Sequence, residues 1–86
     1  MSSDGWRLNP DAEERTVHRW LEREHDPFVR LAVLRWLQVL AADPLKRGVQ
    51  ERPGVFSALV PDTDVVVVWT LDVDAREIVL ALIGDV

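Results

Sequence analysis

The chain contains no cysteine. That absence excludes a disulfide framework, a thiolate zinc site and a cysteine nucleophile together. Tyrosine is missing too, methionine occurs once, and only four glycines are scattered through 86 residues, too dispersed to make a glycine-rich phosphate loop. No apolar run approaches the length of a membrane span. The start, Met-Ser-Ser-Asp-Gly-Trp-Arg, has no apolar signal core. Cytoplasmic placement with no membrane partner is the resulting expectation. Positive charge is scarce as well: 10 Lys and Arg stand against 15 Asp and Glu, a net charge of −5. A general nucleic-acid binder carries a basic footprint, so this balance argues against one.

Apolar residues are plentiful, at 48%. In a chain this short they support a single domain over residues 1–86, one that hides only about 60–65% of its unfolded surface. Residues 1–5 read as a frayed tail, and Trp6-Arg7-Leu8 as a short edge strand. Asn9-Pro10-Asp11 is a helix start, with a capping side chain, a proline where its missing N–H costs nothing, and acid at the positive helix end. The pattern predicts a first helix from Pro10 to about Glu24, with a narrow stripe of Ala12, Val17, Trp20 and Leu21. His25-Asp26-Pro27 breaks it, and Asp26 caps a second helix that runs to Ala42 before Asp43-Pro44. Only Arg30, Arg35 and Gln38 are polar in the body of that helix, which predicts packing on more than one side.

Leu45 to Gly54 reads as a connector holding Lys46, Arg47 and Arg52. Three strands follow, Val55–Val60, Val65–Leu71 and Glu77–Ile83, joined by turns too short for anything but antiparallel hairpins. The expected architecture is α+β in two layers: a short N-terminal strand, a helical hairpin and a three-stranded antiparallel meander, β-α-α-β-β-β. In the middle strand one face holds Val65, Val67, Trp69 and Leu71, the other Val66, Val68 and Thr70. In the last strand the faces are Ile78, Leu80, Leu82 and Val79, Ala81, Ile83. Both faces are apolar, whereas a sheet with one wet face alternates. Two helices cover one face only, so the other calls for a protein partner, a second copy, or a loop or terminus that covers it. Since either face could lie outward, Val66, Val67, Val68, Trp69, Val79, Ala81 and Ile83 form the candidate interface set.

The order of elements resembles the RelE/ParE superfamily, the toxins of bacterial type II toxin–antitoxin pairs. Trp6 to Ala12 is similar to that family's first strand entering the helical hairpin, and Leu40-Ala41-Ala42-Asp43-Pro44 to its Leu-x-x-x-Pro helix ending. Gly54 to Val60 occupies the place of the strand that usually carries Tyr-Arg-x-Arg-like residues. Val65 to Gly84 looks like the closing hairpin with its Ile-Gly ending. The resemblance implies an antitoxin-like partner and one of two activities: ribosome-dependent messenger RNA cleavage, or ParE-like inhibition of a protein target. Cleavage needs cationic groups at the reacting phosphate and an acid or base within reach. Ala58 and Leu59 stand where an arginine is expected, and the sequence ends at Asp85-Val86 where the family usually continues with a basic and an aromatic residue. Lys46, Arg47, Arg52 and Arg76 are the remaining candidates for contact with RNA or an acidic partner. No catalytic set, metal site or cofactor is assigned. His18 and His25 read as a solvated helix face, and Asp62, Asp64, Asp72 and Asp74 as turn formers. The readings carried forward are a RelE/ParE-like protein acting by protein binding, a non-toxic interaction domain of the same fold, and a divergent ribosome-dependent endoribonuclease.

Overall fold

A computed structural model describes residues 5–85. The frayed tail expected over residues 1–5 lies, apart from Gly5, outside the described residues. The elements are β1 (Arg7–Leu8), α1 (Pro10–Leu21), α2 (Pro27–Ala42), β2 (Val49–Arg52), β3 (Val55–Leu59), β4 (Val65–Asp72) and β5 (Glu77–Asp85). The expected α+β order is present, with one strand more than anticipated. The sheet runs β1-β5-β4-β3-β2, with β1 parallel to β5 and every other pair antiparallel.

Both helices begin as their sequences dictate. The Asn9 side chain accepts from the Ala12 backbone N–H at 3.0 Å, and Asp26 accepts from Phe28 at 2.9 Å. α1 stops at Leu21, short of the expected Glu24, and a side chain from the next helix takes carbonyls at and beyond its end. Arg30 reaches back and donates to Leu21 O at 2.8 Å and to Glu24 O. This stitches the hairpin and satisfies groups that a further helical turn would otherwise have used. Among the described residues no helix is long and apolar enough to cross a membrane.

The extra strand, β2, occupies what reads as connector. Arg52-Pro53-Gly54-Val55 turns it onto β3, with Pro at the first central position and Gly54 at φ 81°, the type II arrangement. All four residues of β2 are exposed, so no burial pattern marked it in the sequence. Gly48, just before it, lies against the Trp69 indole: a Cβ there would sit 2.4 Å from Trp69 Cη2 and 2.7 Å from Ser57 O. Close approach of backbone to ring is thus what admits β2 beside β3.

The core lies between the helices and one sheet face. Trp20, Val33, Trp36, Leu37 and Leu40 from the helices meet Val65, Val67, Trp69, Ile78, Leu80 and Ile83 from the sheet. Trp69 is its centre, fully buried, stacked on Phe56 with centroids 6.0 Å apart and edge-on to Trp36 at 6.0 Å. Strict alternation sorts Ile83 with Val79 and Ala81, but the register shifts between Val68↔Leu82 and Trp69↔Leu80, leaving Ala81 as an extra residue. This bulge turns Ile83 inward with Ile78 and Leu80, and turns Leu82 out.

The second helix also departs from expectation. Val33, Trp36, Leu37 and Leu40 are buried, but Phe28 is 83% exposed, and Leu31, Leu34 and Val39 are exposed as well. It packs on one side. The sheet beneath it is flanked by a single helical layer, and among the described residues no element covers its opposite stripe.

Candidate functional site

Two of the candidate sets can now be placed. Of the interface residues, Val67, Trp69 and Ile83 are buried beneath the helices and belong to the core, which corrects their assignment to an accessible surface. Val66, Val68 and Val79 are half-buried and Ala81 exposed. Cross-strand pairing puts Leu59 opposite Val66, Ser57 opposite Val68, and Val68 opposite Leu82. These positions share one sheet face, away from the core residues. Val49, paired with Ser57, extends that face to the edge. The outer face thus joins Val49, Leu59, Val66, Val68, Val79 and Leu82, of which Val49, Leu59 and Leu82 each expose more than half of their surface. Polar character enters chiefly at Ser57, which donates to the Glu51 carboxylate, and at Thr70.

Leu59 was detectable in principle, since it stands two residues from Ser57 on the same alternation. Leu82 was not: a bulge of one residue reverses its direction and leaves no mark on an all-apolar strand.

The four basic candidates do not converge. Lys46 and Arg47 precede β2 and line a shallow depression of about 330 Å³ with Gly48, Val49 and Ser57 to Leu59. Lys46 lies 3.8 Å from Asp43. Arg52 ends β2, so the strand separates it from the first two. Arg76 sits in the β4–β5 turn at the far edge of the sheet, its guanidinium 4.9 Å from the Trp6 ring centroid. There its backbone oxygen accepts from the Arg7 N–H at 3.1 Å. Arg76 fastens the N-terminal strand. These cations therefore surround no common point where a phosphate could be held by several at once. Among the described residues, no three His, Asp or Glu side chains are grouped to hold a metal ion. His18 pairs instead with Glu22, one helical turn away, at 3.4 Å.

Comparison with known protein families, with curated proteins and with solved structures yields no significant match. The fold and surface define a class nonetheless: a small two-layer α+β protein whose sheet is covered by helices on one side and apolar on the other.

Proposed function

We propose that this chain is a RelE/ParE-like toxin-fold protein of a type II toxin–antitoxin pair, and that it acts by protein binding. One observation carries the reading: Leu59, Val66, Val68, Val79 and Leu82 form an apolar face opposite the helices. An antitoxin-like chain is its occupant, since a contiguous apolar surface on a small acidic domain is a protein-docking feature. The dispersal of Lys46, Arg47, Arg52 and Arg76 favours inhibition by contact over RNA cleavage.

Induced expression of the chain alone is expected to arrest growth of a bacterial host. Replacing Lys46, Arg47 and Arg52 together by Ala leaves the arrest intact, whereas Val68→Asp combined with Leu82→Asp relieves it without loss of the folded circular-dichroism spectrum. No arrest by the unmodified chain would replace this reading with that of a non-toxic interaction domain. Relief of arrest in the basic-residue triple variant would instead point to a divergent ribosome-dependent endoribonuclease.

A further inference from the structure

α2 has a second apolar side. Val33, Trp36, Leu37 and Leu40 face the sheet and are buried. On the opposite side, Phe28, Leu31, Arg35, Gln38 and Ala42 follow one another in alternating steps of three and four residues. All five are exposed, Phe28 by 83%. Leu34 and Val39, also exposed, flank this line on its two sides. Alternating steps of three and four are the spacing of a coiled-coil seam, into which a second helix inserts its own side chains. Among the described residues no element covers it.

We infer that two copies of this chain associate through α2, antiparallel, about a two-fold axis level with the Trp36–Leu37 bond. The seam supplies both halves of every pair that this arrangement needs. Arg35 faces Gln38 of the second copy, and its guanidinium donates to the amide oxygen there. Such a polar layer fixes register and orientation. In the next layer the large Leu31 meets the small Ala42. Phe28 reaches past the end of the opposite helix, where Leu45 is 60% exposed. Leu34 and Val39 each lie near their own counterpart, on either flank of the axis, and shield the central layer.

Charge agrees with this orientation. Asp26 precedes the helix, Lys46 and Arg47 follow it, and all three are exposed. Antiparallel pairing sets acid against base at both ends and opposes the two helix dipoles. Parallel pairing sets Arg35 on Arg35 and like charges together at each end. The 16 residues of α2 span about 24 Å. One helix pair of that length buries less than the roughly 1,600 Å² of a standard interface, so the dimer is reversible, with a dissociation constant in the micromolar range. The outer sheet face lies on the other side of the molecule and stays open to a different chain. The inference therefore goes beyond the proposed function and does not rest on it.

Sedimentation equilibrium of the full chain over a range of concentrations tests it. A monomer–dimer equilibrium is expected. Phe28→Glu and, separately, Leu31→Glu should each weaken it by about tenfold or more with unchanged circular dichroism. Val73→Glu, the same kind of change at an exposed turn residue, leaves it unaltered. Because the chain has no cysteine, orientation is read by oxidative cross-linking of single-cysteine variants. Leu31 and Ala42 share a layer in the antiparallel pair, whereas two copies of either position are offset by about 16 Å along the helices. A mixture of Leu31→Cys and Ala42→Cys chains is therefore expected to give the mixed disulfide dimer, and neither variant a disulfide dimer by itself. A chain that stays monomeric up to millimolar concentration overturns the inference. So does a dimer indifferent to both glutamate variants but lost in Leu82→Glu, which moves the contact to the sheet face. Cross-linking of either cysteine variant by itself overturns the antiparallel arrangement.

Discussion

Gly48 and Trp69 show how one residue can control a neighbouring element. With no side chain, Gly48 rests on the indole and lets β2 close on β3. Gly48→Ala should lower stability by about 1–3 kcal/mol in urea unfolding, because the added carbon would overlap both ring and backbone. Gly54→Ala has a different cause: open space surrounds it, but its φ of 81° strains any L side chain, for about 1–2 kcal/mol. Trp69 carries a conflict of its own, since its Nε1 is buried without a partner. Trp69→Phe keeps an aromatic ring against Phe56 and Trp36 and removes the unsatisfied donor. It should therefore cost clearly less than Trp69→Ala, expected at about 3–5 kcal/mol. Denaturant midpoints of the two variants decide this. Asn9 combines two tasks, capping α1 and donating to Glu77 at 2.8 Å, so it ties helix start to sheet edge.

At the scale of elements, β5 tolerates change in an unequal way. Ala81 is the extra residue of the bulge, and Leu80, Leu82 and Ile83 already point in, out and in around it. Deleting Ala81 should therefore leave a regular strand with the same inward set. The expected outcome is a folded protein, its denaturant midpoint changed little. Deleting Thr70 from β4 should do the opposite, turning Leu71 outward and Asp72 inward and abolishing the cooperative transition. The second helix was legible in its boundaries, since Asp26-Pro27 and Asp43-Pro44 are strong local signals. Its environment was not. An almost wholly apolar helix suggests burial all round, yet Phe28, Leu31, Leu34 and Val39 stay exposed because only one helical layer exists. Phe28→Glu should therefore leave the unfolding free energy from denaturant titration within about 0.5 kcal/mol of the parent.

The molecule as a whole presents an acidic chain with apolar surface on both outer sides, the sheet face and the exposed stripe of α2. Such surfaces hold a protein partner or make the free chain prone to associate. Leu82→Glu should reduce binding of an apolar fluorescent dye, with little loss of stability, because that side chain touches solvent more than core. Val67→Glu, placed among the helices, should instead unfold the protein, by burying an unpaired carboxylate. The contrast between these two valine-strand and hairpin positions reads directly which face the helices cover.

Order and type of the main elements follow from sequence alone, because capping residues, prolines and a valine-rich run act within a few residues of where they stand. The apolar excess over what two helices can cover was legible for the same reason: it depends on counting faces. What only the tertiary structure decided is which residues belong to which face. Val67 and Trp69 entered the core because the helices cover their side of β4, whereas Ile83 entered it and Leu82 left it through a bulge set by pairing with β4. β2 formed because β3 offered an edge and Gly48 could lie on Trp69, though none of its own residues is buried. Beyond the two residues paired with β1, the outer edge of β5 is met by side chains, Thr16 on Leu80 O and Arg23 on Ile83 O. Each depends on chain segments far apart in sequence, and local pattern has no access to them.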